Sequence, residues 1–252
     1  MGTEGSGASR AGGEGWHNED AFLVEDGLGL YVVCDGASGT PAGEIAARTA
    51  ARAVEEFVEG VEEDLDFRTD RIARAVVEEA MDHALRAVGE AARREPELEG
   101  LATTVTVLLA HGRLGVIGHR GDSRAYLIRR ERARQLTFDD DATEASSSGR
   151  NRDPHSDVFS LDLQPGDTLV LCTDGAEEVV QSDEIVRVSG DLAPHVLASR
   201  IVSAAHRRAP DQDATAVVVR VRGDAEPGWL ELSSEPDRTA FGHVIPLAEG
   251  SD

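Results

Sequence analysis

Apolar residues fall into two patterns along this chain: short, nearly continuous runs bounded by turn residues, and two longer stretches where they recur every three to four positions. The runs at residues 21–24 and 28–33 predict two strands joined by an Asp26-Gly27 hairpin turn. Thr40 as N-cap and Pro41 at the first helical position then predict a helix whose apolar face carries Ile45, Thr49, Ala53, Phe57 and Val61. A second helix is expected over residues 70–94, facing inward with Ile72, Val76, Ala80, Ala84 and Val88 and stopped by Pro96. Strand-like runs follow at 101–110, 114–118, 125–129, 158–163 and 168–172, with turns at His111-Gly112 and Gln164-Pro165-Gly166-Asp167. A short helical turn after Asp174-Gly175, a helix over 192–208 and a last strand over 214–221 complete the pattern. Strands joined mostly by hairpins, with helices in separate blocks, predict an α+β domain: antiparallel sheets with helices segregated on their outer faces.

Three segments lack such periodicity. Residues 1–15 are rich in Gly and Ser and read as a flexible N-terminus without the apolar core of a secretory signal. Residues 137–157 are acidic and Ser-rich and read as a loop, and residues 223–252 as an acidic tail containing Pro227, Pro236 and Pro246. The domain proper is therefore expected over 16–222.

Charge narrows the partners. The formal net charge is −23, and all 25 basic residues are Arg, so the surface repels nucleic acid and anionic membranes. No apolar run reaches the roughly 18 residues that a membrane span requires. The two cysteines, Cys34 and Cys172, both lie inside apolar runs, as buried free thiols of a cytoplasmic protein do.

Chemistry concentrates where strands end. The run Tyr31-Val32-Val33-Cys34 stops at Asp35-Gly36, and Leu169-Val170-Leu171-Cys172-Thr173 stops at Asp174-Gly175. Glu19-Asp20, Asp122, Glu178 and the Asp211/Asp213 pair also stand at or just outside predicted strand ends. Carboxylates gathered in one place repel one another and take up protons unless cations intervene. Oxygen-only ligands suit Mg²⁺ or Mn²⁺. Two such ions, roughly 3.5–4 Å apart, activate a water and stabilise charge on a transferring phosphoryl group. No loop of regularly spaced oxygens suggests a Ca²⁺-binding hand.

In order and wording, several segments resemble the metal-dependent protein phosphatases of type 2C, the PPM family of Ser/Thr phosphatases, in its bacterial form. They are Asn18-Glu19-Asp20-Ala21-Phe22, Val33-Cys34-Asp35-Gly36 with Ala42-Gly43-Glu44, Ala102-Thr103-Thr104, and Gly121-Asp122-Ser123-Arg124-Ala125-Tyr126-Leu127. Pro165-Gly166-Asp167, Leu171-Cys172-Thr173-Asp174-Gly175 and Asp213-Ala214-Thr215-Ala216-Val217 complete the set. The resemblance implies a four-layer α-β-β-α sandwich, two mainly antiparallel sheets flanked by helix pairs, with the metals at one end. It implies two or three Mg²⁺ or Mn²⁺ ions and direct attack of a water held between two of them on phosphoserine or phosphothreonine. Asp35 would bridge two metals, and the Gly36 carbonyl and Glu19 or Asp20 would support one of them. Asp174 would bind the other, and Asp122 with Glu178 would suit a weaker third site. The partner would be a phosphoprotein, opposite a Ser/Thr kinase.

Four departures from the family pattern stand out. Gly15 occupies the position of the family's phosphate-clamping Arg, and Arg120 is the candidate replacement, since on an extended backbone Arg120 and Asp122 project to one side. His17 is a weaker candidate, and His17 and His119 both read as ordinary polar positions. Aligning on Thr215 places Gln212 at the last metal position, with Asp211 or Asp213 as the alternative ligand. Thr40 stands where bacterial members often carry His, and the segment between Leu136 and Val158 is shorter than the usual flap. These departures raise a second reading: a degenerate phosphatase fold that binds a partner with little catalysis.

Overall fold

The computed structural model describes residues 1–13, 17–36, 42–63, 65–94, 100–138 and 157–223. Among the described residues, ten strands make two five-stranded antiparallel sheets. One sheet runs β1 (Gly2–Arg10), β10 (Ala214–Arg222), β9 (Thr168–Cys172), β6 (Arg124–Arg129), β7 (Arg132–Gln135) from edge to edge. The other runs β2 (Asp20–Glu25), β3 (Leu30–Asp35), β4 (Val105–His111), β5 (Leu114–Arg120), β8 (Asp157–Asp162). Helices α1 (Ala42–Glu62) and α2 (Asp70–Arg94) cover the second sheet. Helices α3 (Glu177–Val180), α4 (Asp183–Val188) and α5 (Pro194–Arg208) cover the first. The expected α-β-β-α sandwich is what the chain forms.

Strand alternation explains the layers. In β3, Tyr31 and Val33 face the opposite sheet while Leu30, Val32 and Cys34 face α1 and α2. In β9, Leu169 and Leu171 point into the sandwich while Val170 and Cys172 meet α5. Strands apolar on both faces belong in the middle of such a stack, which is why these runs are almost continuous.

Helix α2 matches its predicted span and face. Helix α1 is turned: of the predicted face Ala53 is buried, but the buried stripe centres on Ala46, Ala47, Ala50, Val54 and Val58, while Ile45 is 42% exposed and Phe57 and Val61 pack at the margin. Alanine adds little hydrophobicity to a periodicity reading, yet its size lets a helix lie close to a sheet. Thr40 and Pro41, read as its start, lie outside the described residues. Strand β7 escaped the pattern because Arg132–Gln135 has no apolar alternation; a tight turn with Arg130 and Glu131 both at positive φ (49° and 59°) folds it onto β6.

The largest correction concerns the N-terminus. Residues 2–10, expected to be flexible, form β1 and pair with β10 over nine positions. The glycines are the reason. A Cβ on Gly5 would lie 2.3 Å from the Tyr31 ring, and one on Gly7 2.2 Å from that of Phe22. The small residues leave room for aromatic rings of the facing sheet. Tyr31, fully buried, donates its hydroxyl to Asp26 Oδ1 (2.9 Å) and shares a second hydrogen bond with Thr3 Oγ1 (2.8 Å), and Asp26 Oδ1 also accepts the Gly5 amide (2.8 Å). Gly5→Ala, a change that raises strand propensity, is therefore expected to destabilise the fold by about 1–3 kcal/mol; a urea midpoint equal to wild type would refute this packing.

Candidate metal centre

All candidate carboxylates converge on one end of the sandwich, where β1, β3, β5 and β9 finish and β2, β4, β6 and β10 begin. Asp20 and Asp35 stand directly opposite each other in the β2–β3 register, on the face turned toward the other sheet. Like charges so placed are destabilising.

The backbone of Asp35 is fixed by a pair of threonines. Its N–H donates to Thr104 Oγ1 (2.9 Å), and its carbonyl accepts from the Thr104 N–H (2.9 Å) and the Thr103 hydroxyl (2.9 Å). Thr104 Oγ1 in turn shares a hydrogen bond with Ser123 Oγ (2.7 Å), tying the start of β4 to the Gly121-Asp122-Ser123 turn. These bonds occupy the main chain and leave the carboxylate to other work.

Asp20 is 8% exposed; its Oδ2 accepts the Thr173 hydroxyl (2.9 Å), while its buried Oδ1 has no hydrogen-bond partner. The Thr215 N–H donates to Thr173 Oγ1 (3.0 Å), and Thr215 Oγ1 shares a hydrogen bond with Ser9 Oγ (2.6 Å), which accepts from Asn18 Nδ2 (2.6 Å). This polar chain links β1, β9 and β10 to β2, so the two sheets meet at the site through hydroxyls. Thr173 and Thr215 belong to recognisable motifs, but Ser9 was hidden in the segment read as flexible. The alternation Thr3, Gly5, Gly7, Ser9 of small inward residues was the available signal.

Both carboxyls hold their protons well above the ordinary range. Burial is the first cause for each. For Asp35 the next is repulsion from Asp20, followed by Asp174, Asp122 and Asp213; for Asp20, hydroxyl hydrogen bonds from Thr215 and Thr173 partly offset the burial, and weaker repulsion from Asp213 and Asp174 adds to it. Asp20, Asp35, Asp122, Asp174 and Asp213 thus share one electrostatic field. Among the described residues, however, no three His, Cys, Asp or Glu side chains already converge on one cation position.

Glycines bring other oxygens close. A Cβ on Gly36 would lie 2.1 Å from the Gly43 carbonyl oxygen; one on Gly43 would lie 2.5 Å from Glu19 Oε2 and 2.6 Å from the Gly36 carbonyl oxygen. Glu19 and the Gly36 carbonyl are therefore neighbours at the start of α1. On the opposite flank, exposed Asp174 opens a 3-10 turn (Asp174–Ala176) and lines a cleft with Glu178 and Gln212. Asp122 lies on the β5–β6 turn.

The three candidates of the last motif separate. Asp213 Oδ1 accepts the Gly12 amide (2.6 Å) and Oδ2 the Glu19 amide (2.7 Å), so this carboxylate clasps the chain on both sides of residues 14–16. Asp211 is exposed, its backbone packed on Gly12. Gln212 alone of the three faces the cleft with Asp174.

Arg120 does not meet the geometry expected of it. Gly121 has φ +109°, so the backbone from Arg120 to Asp122 is not extended. By alternation in β5, with Ile117 facing the sandwich and Val116 the helices, Arg120 projects toward the helix layer, opposite to Asp20 and Asp35. His17 is exposed, 3.8 Å from Glu44. His119 is buried, with Nδ1 2.9 Å from Thr106 Oγ1 and Nε2 3.2 Å from the Phe138 carbonyl, a structural bridge. Gly15, Thr40 and most of the short flap lie outside the described residues.

The oxygen-only donors, the orphaned Asp20 Oδ1 and the mutual repulsion all fit hard divalent cations. A family model described as "Protein phosphatase 2C" matches residues 7–205. The chain is 29% identical over 231 residues to the serine/threonine protein phosphatase PstP of Mycobacterium tuberculosis, covering 81% of this chain but 42% of that protein. It is 26% identical over 197 residues to the serine/threonine phosphatase stp of Listeria innocua, covering 68% of this chain and 77% of that one. In fold, it superposes on a crystal structure of the catalytic domain of PstP in complex with two manganese ions with a TM-score of 0.75 at 24% identity, covering 88% of this chain and 99% of that one. The chain thus spans less than half the length of its mycobacterial relative.

Proposed function

The chain belongs to the protein phosphatase 2C family, and from that premise we propose that it is a metal-dependent protein phosphatase hydrolysing phosphoserine and phosphothreonine. The observation that carries this reading is the facing pair Asp20 and Asp35, set in one field with Asp174, Asp122 and Asp213 at the mouth of the sandwich. The cofactor is Mg²⁺ or Mn²⁺, two or three ions. Asp35 with the Gly36 carbonyl, Glu19 and Asp20 would hold one ion; Asp35 with Asp174 and Gln212 would hold another; Asp122 and Glu178 remain for a third. Bound divalent cations supply the charge that activates water and stabilises the phosphoryl group in the transition state.

The chain's own residues prepare that chemistry. Thr103 and Thr104 hold the Asp35 backbone so that its carboxylate faces Asp20. Thr173 occupies one oxygen of Asp20 and leaves the other, Oδ1, for a cation. Asp213 fixes the main-chain position of Glu19. Two buried free thiols agree with a reducing cytoplasm, where a Ser/Thr kinase would phosphorylate the substrate in a signalling pair. Among the described residues no helix is long and apolar enough to cross a membrane.

The test is turnover of a phosphothreonine peptide and of p-nitrophenyl phosphate with Mn²⁺, lost on chelation. Mn²⁺ binding without turnover would overturn the reading. Because Gln212 contributes a neutral oxygen where a carboxylate would bind more tightly, Gln212→Asp is expected to raise Mn²⁺ affinity about tenfold, read by calorimetry. An unchanged affinity would remove Gln212 from the ligand set.

A further inference from the structure

On the α5 side of the metal end, a cleft of about 300 Å³ opens beside Asp174. Gly175, Glu177, Glu178, Gln212 and Arg208 are among the residues that line it. Arg208, the last residue of α5, is solvent-exposed, and its guanidinium makes no hydrogen bond or ion pair among the described residues. A second guanidinium beside the cleft is already engaged: Arg124 Nη1 lies 2.7 Å from Glu177 Oε2, both partly buried. A cation at a helix C-terminus also favours the helix dipole, but Arg207 occupies the same last turn and does not line the cleft.

Resting on the phosphatase reading above, we propose that Arg208 binds a phosphoryl oxyanion of the substrate in this cleft. A guanidinium offers two parallel N–H donors to two phosphoryl oxygens. The charge count sets a condition. With Glu177 neutralised by Arg124, Asp174 and Glu178 outweigh Arg208, so the protein's own charge in the cleft is anionic. Divalent cations held by those carboxylates would reverse the sign. Phosphate and metal therefore reinforce each other's binding, and by linkage the reinforcement is equal in both directions. The oxyanion has two possible sources: the phosphoryl group being transferred, or a second phosphate flanking it on the substrate.

The probe for binding is inorganic phosphate, titrated by calorimetry into the Mn²⁺-loaded full chain. Arg208→Ala is expected to weaken phosphate about tenfold and Arg208→Lys to restore part of the loss, because Lys keeps the charge without the fork. Without Mn²⁺, both wild type and variant should bind phosphate far more weakly. KM is then measured for p-nitrophenyl phosphate, a singly phosphorylated threonine peptide and a doubly phosphorylated one. A rise of KM on all three assigns Arg208 to the transferring phosphoryl group; a rise on the doubly phosphorylated peptide alone assigns it to a flanking phosphate. Phosphate affinity and all KM values equal to wild type in Arg208→Ala would overturn the proposal. If the wild type turns over none of the three substrates, the phosphatase reading fails by itself, and the phosphate titration still decides Arg208.

Discussion

Asp35→Asn is expected to remove turnover by a factor on the order of 10³ or more, the loss of several kcal/mol of transition-state stabilisation, while making the metal-free protein more stable. The two effects have one cause. Asp35 faces Asp20 across the β2–β3 ladder, and burial first, then repulsion from neighbouring carboxylates, raises both carboxyls above their unfolded values. The native state then binds more protons than the unfolded one, so stability of the metal-free protein falls as pH rises. That loss starts in the ordinary carboxylate range and continues through the raised native values. Thermal unfolding in chelator should show a melting temperature that drops between about pH 5 and pH 8. Asn at position 35 removes one charge of the pair, so its melting curve should be flatter with pH and higher at pH 8, by a stability on the order of 1 kcal/mol. Mn²⁺ should raise and flatten the wild-type curve and have little effect on the variant. A variant that is both inactive and less stable than wild type at pH 8 in chelator would mean that Asp35 is structural rather than a strained cation ligand.

Asp167→Ala, away from the site, should be strongly destabilising. Asp167 is 1% exposed and receives Arg129 through two bonds, Nε to Oδ1 and Nη2 to Oδ2, each 2.6 Å. Its Oδ2 also accepts the Gln164 amide (2.8 Å), closing the turn between β8 and β9. Arg129 donates a further bond to the Asp162 carbonyl (2.9 Å), so the pair pins β6 to that turn. Removing the carboxylate strands a guanidinium whose side chain is only 16% exposed. Breaking such a buried pair costs about 3–5 kcal/mol, a large share of a domain's typical stability of roughly 5–15 kcal/mol. Urea unfolding measures it directly. Asp162→Ala, which removes the exposed partner of Arg113, is the control and should cost less than about 1 kcal/mol. Equal losses in the two variants would show that the Arg129–Asp167 pair carries no special weight.

Segments with strong periodicity announced themselves. The hairpin of β2 and β3, the span of α2 and the runs of β9 and β10 are legible because each buries apolar side chains at a fixed interval. The site was legible for a related reason: a strand that must end in Asp-Gly at the surface puts its carboxylate at the sheet's end, and Asp20, Asp35, Asp122 and Asp174 all arrived there. Where the stabilising feature was the absence of a side chain, the pattern misled. Gly5 and Gly7 look like slack in the chain until Tyr31 and Phe22 of the facing sheet fill the space above them. The alanine stripe of α1 is unremarkable until it lies against a sheet.

From sequence alone came the layered α+β architecture, the oxygen-rich cation chemistry and the family, since these follow from local spacing and from ordered short motifs. Contacts between distant segments decided the rest: that Asp213 clasps backbone amides of Gly12 and Glu19, that Arg120 points toward the helices, and that Arg208 stands at the cleft. Local spacing says which way a residue faces within its own element. Only the packing of one sheet on another says what it will find there.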